Sequence, residues 1–244
     1  MPLFAILLVF GLLTCVQAQD TSSSSNTVVR FQLANGDVDR GFLDVELFDG
    51  EKPETVRNFL LYVRSGLYDQ VLLHRLVPGF VLQGGGFTLP NPSDSNFFTQ
   101  TNPVRNLGAI TNEFGVGARL SNTVGTLAMA KVGSDPNSAS AQWFFNLGNN
   151  SSLLNTQAGG FTVFGRVLPD TNAMAGTNLL FTFNSFSQGQ GLVNMANFFG
   201  PNWSVFSNLP VNFSGLVVPQ SRQLFHVSVS ELNGPEPDTN APVV

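Results

Sequence analysis

A single arginine within an apolar stretch is the residue of this sequence best suited to chemistry. The stretch LHRLVPGFVLQGGGF, residues 73–87, surrounds Arg75 with Leu73, Leu76, Val77, Phe80, Val81 and Leu82. A guanidinium is always charged in proteins and carries five donors in a planar fork. Placing it beside apolar groups is costly unless its head has a partner or a task. We therefore treat Arg75 as a candidate functional residue.

The residues that follow Arg75 predict a strand, a turn and a second strand. Pro78 and Gly79 favour a turn, because Pro fixes φ and Gly tolerates positive φ. This hairpin would bring Arg75, Phe80 and Gln83 close together. The glycines at 84–86 would let another backbone, or a ligand, approach closely.

Three segments of the chain resemble the cyclophilins, a family of peptidyl-prolyl cis-trans isomerases. Residues 73–87 are similar to the family's FHR-PGF-QGG segment. Residues 125–147, GTLAMAKVGSDPNSASAQWFFNL, resemble the GTLAMA…SATAQFFIN form of bacterial members, and residues 161–167, FTVFGRV, resemble the VFG strand. The resemblance spans roughly residues 27–183 and the last strand.

The elements that must position these segments are predicted to be mainly β. Alternating or apolar runs bounded by turn residues predict strands at 28–33, 41–48, 124–129, 142–147, 161–167 and 224–232. Many strands with few helices favour an antiparallel barrel. The resemblance implies a closed cyclophilin-like barrel of eight antiparallel strands with two capping helices, to which this chain adds a C-terminal insertion.

Two helices are predicted. The first covers residues 53–65, with Pro53 in its first turn and one apolar stripe formed by Val56, Phe59, Leu60 and Val63. The second is expected to be capped by Asp170 or Thr171 and to run to about Phe183. Residues 88–117, rich in Asn, Pro, Ser and Gly, predict long surface loops.

The resemblance implies catalysis of rotation about X-Pro bonds. The barrier to this rotation is about 18–20 kcal/mol, and no bond is broken, so neither a metal nor another cofactor is needed. By the resemblance, Arg75, Phe80 and Gln83 are the catalytic residues. The guanidinium would donate to the proline nitrogen, favour the twisted, single-bonded amide and so stabilise the transition state, while Gln83 orients it and the substrate carbonyl.

The resemblance also implies an apolar pocket for the proline ring and a groove for the peptide backbone. The pocket residues would be Phe80, Val81, Phe144, Leu154 and Phe161. The groove residues would be Ala130, Lys131, Val132 and Gln142, of which Lys131 and Val132 depart from the family's frequent Asn-Ala. Leu153 would line the same site, where many eukaryotic members have Trp.

Two readings stay open beside this one. His74 has the chemistry of a general base, but isomerisation requires no proton transfer, and the resemblance implies a structural role. The whole chain could instead be a non-catalytic cyclophilin-like module that binds peptides. The presence of Arg75, Phe80, Gln83 and Phe144 together favours the enzyme.

Composition excludes several other functions. Charged residues make up only 11% of the chain, the net charge is −5, and no basic cluster is present, which argues against nucleic-acid binding. Two His and one Cys make a His/Cys metal site implausible. The expected partners are therefore proline-containing polypeptides, and we expect a monomer.

The N-terminus predicts export. Residues 3–13 form an apolar run too short to span a bilayer, and Val16-Gln17-Ala18 offers a cleavage site, so residues 1–18 are predicted to be a signal peptide. A periplasmic or secreted protein is expected. Cys15 leaves a lipoprotein as the less favoured alternative. A buried N-terminal helix is also less favoured, because a serine run at 22–25 follows.

The remaining chain divides into a linker, one domain and a tail. We predict a polar linker at 19–26, the isomerase domain at 27–233 and a disordered tail at 234–244. The insertion at about 184–220 contains Phe198, Phe199, Trp203, Phe206 and Phe213. Packing of these aromatics against the barrel is favoured over a rim that contacts client proteins.

Overall fold

A curled antiparallel sheet of eleven strands forms the body of the protein. A computed structural model describes residues 26–96, 98, 102–170 and 175–232. The strands, in chain order, are β1 (Val28–Asn35), β2 (Val38–Leu47), β3 (Val71–Leu72), β4 (Arg75–Val77), β5 (Val81–Gly84), β6 (Phe87–Thr88), β7 (Asn102–Pro103), β8 (Thr126–Met129), β9 (Trp143–Asn146), β10 (Val163–Val167), β11 (Ser187–Gln188), β12 (Gln190–Val193), β13 (Leu209–Ser214) and β14 (Phe225–Glu231). The large sheet has the order β4-β5-β9-β8-β10-β2-β1-β14-β3-β6-β7.

The prediction of a mainly β fold built on antiparallel strands is confirmed, but a closed eight-stranded barrel is not. The described strands number eleven in this sheet, and no ladder joins the outermost strands β4 and β7. The higher count arises partly because the chain leaves the ladder for two residues, Leu73 and His74, between β3 and β4. There the backbone N–H of Leu73 donates to Phe225 O at 2.9 Å, and that of His74 donates to Gln83 O at 3.1 Å.

The core lies inside the curl of this sheet and is rich in aromatic rings. Phe31 contacts the ring of Phe145 at 5.1 Å and that of Trp143 at 5.0 Å between centroids, both edge to face. These side chains are buried because residues of one parity on each strand face inward. Phe59 of the first helix completes the cluster, at 5.9 Å from Phe31.

The first helix, α1 (Pro53–Arg64), forms as predicted. Pro53 occupies its first turn, and Val56, Phe59 and Leu60 of the predicted stripe are buried. The carboxylate of Glu113 accepts from the backbone N–H groups of Glu54 and Thr55, at 3.2 and 2.7 Å. A loop residue, and not a local cap, therefore satisfies the free N–H groups at this helix end.

Among the described residues, three shorter α-helices follow α1: α2 (Ser151–Leu154), α3 (Gly176–Thr182) and α4 (Ala196–Phe199). The second predicted helix corresponds to α3, but it begins at Gly176 after an extended Ala175, so the predicted start at Asp170 is wrong. Residues 171–174, which include the alternative cap Thr171, lie outside the described residues, as do the predicted signal peptide, the linker up to residue 25 and the tail. No helix in the described ranges is both long and apolar enough to cross a membrane.

The insertion carries its own small sheet, in which β12 pairs with β11 in parallel and with β13 in antiparallel orientation. Its residues Val193, Met195, Phe206 and Leu209 are buried in a cluster that also contains Leu72 of the large sheet. Trp203 and Phe213 pack against this cluster, whereas Phe198 and Phe199 are 39% and 40% exposed. The packing interpretation thus fits three of the five predicted aromatics.

Candidate active site

A row of paired residues crosses four neighbouring strands and carries Arg75 and Gln83, two of the three predicted catalytic residues. Arg75 on β4 pairs with Gln83 on β5, Gln83 pairs with Phe144 on β9, and Phe144 pairs with Ala128 on β8. Paired residues project on the same side of a sheet. The hairpin predicted around Pro78 and Gly79 is therefore present, and it brings Arg75 and Gln83 side by side.

This row lies on the face of the sheet opposite the core. Leu82 and Phe145 point into the main core, while their neighbours Val81 and Phe144 belong to a second apolar cluster. The second apolar cluster consists of the buried Val81, Ala128, Phe144, Leu154 and Val163 with the partly buried Phe48, Phe80, Leu120, Ala130 and Phe161. All five predicted pocket residues are in it. The rings of Phe144 and Phe161 meet edge to face at 5.8 Å between centroids.

Arg75 is half-buried at one end of the row and has no carboxylate partner within ion-pair distance among the described residues. Its Nη1 lies 3.5 Å from Gln83 Oε1, the outer limit of a hydrogen bond. Burial lowers the pKa of Arg75, but a guanidinium keeps its charge in proteins. The remaining donors are therefore available to a ligand.

Gln83 links the arginine to the predicted groove. Its Nε2 donates to Gln142 Oε1 at 2.8 Å, and the backbone O of Gln142 accepts from Ala130 N at 2.8 Å. Arg75, Gln83, Gln142 and Ala130 thus form a continuous chain of neighbours.

Lys131 and Val132, the other two predicted groove residues, differ in environment. Lys131 Nζ donates to the backbone oxygens of Ala158 and Gly160 at 2.6 and 2.7 Å and lies 4.5 Å from the centroid of Phe161. Val132 is 75% exposed.

The structure separates the two leucines predicted to line the site. Leu154 is buried in the second apolar cluster, whereas Leu153 is 49% exposed on α2 and is not a member of that cluster. Contact of Leu153 with a ligand stays a prediction.

A buried network of asparagines supports the pocket, and sequence reasoning did not find it. Asn150 Nδ2 donates to Asn146 Oδ1 at 2.7 Å and to Phe80 O at 2.8 Å. Asn122 Nδ2 donates to Phe161 O at 3.0 Å, and Asn122 Oδ1 accepts from Asn146 Nδ2 at 3.2 Å. The network fixes the backbones of two pocket residues. Asn122 lies 24 residues from Asn146, and Asn150 contacts Phe80 across 70 residues, so no local sequence pattern predicts the network.

The three glycines after Gln83 leave room for another segment of the same chain, Trp143 and its neighbours. A Cβ on Gly84 would lie 2.5 Å from the Trp143 indole, and one on Gly85 would lie 2.3 Å from Ala141 O. Gly85 also has a φ of +82°. Other segments of this chain thus approach the glycines closely, which is one of the two possibilities predicted for them. Trp143 is fully buried in the main core.

His74 lies next to Arg75 in sequence but is buried beneath the site. Its ring meets Phe87 edge to face at 5.3 Å, and burial lowers its pKa to about 4. The imidazole is therefore neutral at pH 7. Neutral, buried and packed against an aromatic ring, His74 fits the structural role.

Within the described residues, no group of three His, Cys, Asp or Glu side chains is placed to hold a metal ion. Among the described residues, the site combines two cations, Arg75 and Lys131, with two neutral amides, Gln83 and Gln142, and an apolar surface. Such a set can bind and polarise a neutral group.

Comparison with known proteins gives consistent matches. A family model described as cyclophilin type peptidyl-prolyl cis-trans isomerase/CLD matches residues 29–197. The peptidyl-prolyl cis-trans isomerase cyp18 of Streptomyces antibioticus is 43% identical over 131 residues, which cover 52% of this chain and 71% of that protein. Peptidyl-prolyl cis-trans isomerase B of Escherichia coli K12 is 38% identical over 145 residues, covering 58% and 77% of the two chains.

A solved structure shares the fold. The crystal structure of a cyclophilin type peptidyl-prolyl cis-trans isomerase from Cryptosporidium parvum superposes with a TM-score of 0.52 and 20% identity. The match covers 86% of this chain and 99% of that one.

Proposed function

The chain belongs to the cyclophilin-type peptidyl-prolyl cis-trans isomerase family, and from this premise we propose that Arg75 drives rotation of X-Pro bonds in peptides held against the second apolar cluster. The substrates are proline-containing polypeptides. The proline ring lies among Phe80, Phe144 and Phe161, and the preceding residues lie along residues 130–132.

The proposed mechanism acts on amide resonance. In the planar ground state the proline nitrogen shares its lone pair with the carbonyl, and this sharing produces the barrier. In the twisted transition state the lone pair returns to the nitrogen, which can then accept a hydrogen bond. The guanidinium of Arg75 donates to that nitrogen, so the interaction is stronger in the transition state than in the ground state. Apolar contacts hold the ring while the acyl side turns.

The observation that carries this proposal is the state of Arg75. It is half-buried beside an apolar cluster, its hydrogen bond to Gln83 is long at 3.5 Å, and no carboxylate among the described residues neutralises it. A structural arginine at such a depth would be expected to have a carboxylate or several carbonyl partners. Gln83 lies beside it in the pairing row, where it can orient the guanidinium.

The test is the rate at which the purified protein accelerates isomerisation of a short X-Pro peptide. Arg75→Ala should lose about 2–4 kcal/mol of transition-state stabilisation, or about 30- to 1000-fold in kcat/KM. Arg57→Gln is the matched control, because Arg57 is an exposed arginine of α1 whose partner is Glu54. A folded Arg75→Ala variant with full activity would refute the mechanism.

We also propose that the protein is similar to the bacterial members of the family and is exported to the periplasm or secreted. It would act there, as a monomer, on other exported proteins. Support comes from the apolar run at 3–13 and the residues Val16-Gln17-Ala18. The mature chain would begin at Gln19, and its intact mass is the measurement. A retained Met1 or a lipid on Cys15 would contradict this route.

A closed barrel is likewise proposed. It would close through Leu73 and His74. These two residues join β3 to β4, which are far apart in the strand order of the sheet. Their backbone N–H groups donate to β14 and β5 respectively. Slow hydrogen exchange at both amides would support closure, and fast exchange at both would contradict it.

A further inference from the structure

Lys131 is a cation whose partners in the fold are all neutral. Its Nζ donates to Ala158 O at 2.6 Å and to Gly160 O at 2.7 Å, and it lies 4.5 Å from the centre of the Phe161 ring. An ammonium has three donors. Two of these donors bind backbone oxygens, so one donor stays available. The two carbonyls and the Phe161 ring hold the ammonium in place but do not neutralise its charge.

The surroundings of Lys131 contain little negative charge. The ion pairs formed by the described residues join Arg30 to Asp44, Arg57 to Glu54, Arg64 to Glu231 and Arg166 to Glu46, and none of them includes Lys131 or Arg75. Burial lowers the pKa of Lys131, and the charge of Asp135, the one carboxylate among the described residues that acts on it, raises the pKa by a smaller amount. Asp135 is exposed and accepts from the backbone N–H of Asn137 at 2.9 Å.

Lys131 lies where the predicted proline pocket meets the predicted peptide groove. Ala130, directly before it, packs against the second apolar cluster, and Phe161, beneath its ammonium, belongs to the same cluster. Val132, directly after it, is 75% exposed. A peptide with its proline in the cluster and its preceding residues along 130–132 must pass this ammonium.

We infer that Lys131 makes the enzyme selective for peptides with an acidic side chain shortly before the proline. The free donor of the ammonium would bind that carboxylate in a charge-assisted hydrogen bond. A basic side chain at the same place would be repelled by both Lys131 and Arg75. This inference rests on the proposed function, because it needs the peptide to lie as described there.

A purely structural role for Lys131 makes a different prediction. The lysine also ties down the turn that precedes Phe161, where Ala158 has a φ of +49°. If support of this turn were its whole function, removing it would slow the turnover of all peptides by the same factor. If Lys131 instead selects for charge, removing it would change the ratio of the kcat/KM values of acidic, neutral and basic peptides.

The experiment measures kcat/KM by exchange NMR on three peptides, acetyl-Ala-Xaa-Pro-Phe-amide with Glu, Gln or Lys before the proline. Each rate is divided by the uncatalysed rate of the same peptide. We expect the Glu peptide to exceed the Gln peptide about 3- to 10-fold at low salt, and the Lys peptide to be the slowest. The preference should shrink as salt is added, because exposed charges are screened.

Variants separate the two roles. Lys131→Gln should abolish the preference, Lys131→Glu should reverse it, and Lys131→Arg should keep it. Arg57→Gln removes a charge elsewhere on the surface and should leave the ratio unchanged. Equal rates for the Glu and Gln peptides with the unaltered protein, or a uniform loss in Lys131→Gln, would overturn the inference. Failure to accelerate any of the peptides would instead refute the proposed function.

Discussion

Arg75 gains its chemical use from its surroundings. The same guanidinium paired with a carboxylate, as Arg30 is with Asp44 at 2.7 Å, would have its donors occupied. At Arg75 the nearest polar partner is a neutral amide at 3.5 Å, and the adjacent surface is apolar. A lower local dielectric strengthens whatever hydrogen bond the arginine makes to a ligand.

His74 shows how a residue adjacent to the site can serve stability alone. Folded His74 stays neutral down to about pH 4, whereas its unfolded form takes up a proton near pH 6.5. Because the folded pKa is the lower one, this contribution to stability is complete above pH 6.5 and is lost as the pH falls toward 4. The difference corresponds to about 3 kcal/mol of unfolding free energy.

We therefore expect His74→Gln to weaken the loss of stability between pH 7.5 and pH 4.5. Chemical denaturation of both proteins at both pH values measures it, and the difference between them removes the contribution of carboxylates and of His226, whose pKa burial also lowers. Turnover of X-Pro peptides should not depend on His74 ionisation between pH 6 and 8. An identical pH dependence of stability in the two proteins would contradict the assignment.

At the scale of elements, the hairpin of β4 and β5 is the part that must be held still. Its turn is fixed from the insertion side, where Asn184 Oδ1 accepts from Gly79 N at 2.8 Å. Its outer strand is fixed by Asn208 O, which accepts from Leu76 N at 2.8 Å. The inserted segment thus contacts the element that carries Arg75 and Phe80.

Asn184→Ala should loosen the turn and lower kcat/KM by about 3- to 10-fold, because it removes the hydrogen bond from Gly79 N and the longer one, 3.4 Å, that Asn184 Nδ2 donates to Leu147 O. Asn184 is exposed, so global stability should fall by no more than about 1 kcal/mol. Asn184→Asp keeps the acceptor oxygen and should retain activity. Peptide kinetics and thermal unfolding of the two variants decide this, and equal activity of Asn184→Ala and the unaltered chain would exclude the positioning role.

Sequence reasoning succeeded where the information is local. Arg75, Phe80 and Gln83 lie within nine residues, and the Pro78-Gly79 turn between them fixes their relation. The apolar stripe of α1 could likewise be predicted, because its apolar residues recur at helical spacing. The resemblance alone implied that Phe144 shares a site with Gln83, since no local pattern relates two residues so far apart in the chain.

The supporting contacts could not be predicted from the sequence, because they join residues that are far apart in the chain. Lys52 is fully buried and donates to the backbone oxygens of Glu113 and Ala118 at 2.8 Å each, across more than sixty residues of sequence. The asparagine hydrogen bonds beneath the pocket span up to 70 residues of sequence, and Asn208 O accepts from Leu76 N across a larger separation. Carbonyl acceptors carry no side-chain signature, so only the fold reveals them.

At the scale of the whole molecule, the large sheet and the insertion share an apolar cluster. Leu72 and Leu224 from the main body are buried in one cluster with Val193, Phe206 and Leu209 of the insertion. We therefore expect limited proteolysis to leave residues 190–215 intact under conditions that cut an exposed loop such as 133–137. Early cleavage between 190 and 215, mapped by mass spectrometry, would contradict the packed insertion.

The whole account depends on whether Arg75 acts on the transition state or merely holds the peptide. The most direct test measures binding and on-enzyme exchange of one X-Pro peptide by two-dimensional NMR, with the unaltered protein and with Arg75→Ala. The account predicts a Kd within about 3-fold of the original and an exchange rate on the protein reduced about 30- to 1000-fold. A variant that loses affinity but, once saturated with peptide, still exchanges it at the original rate would contradict it.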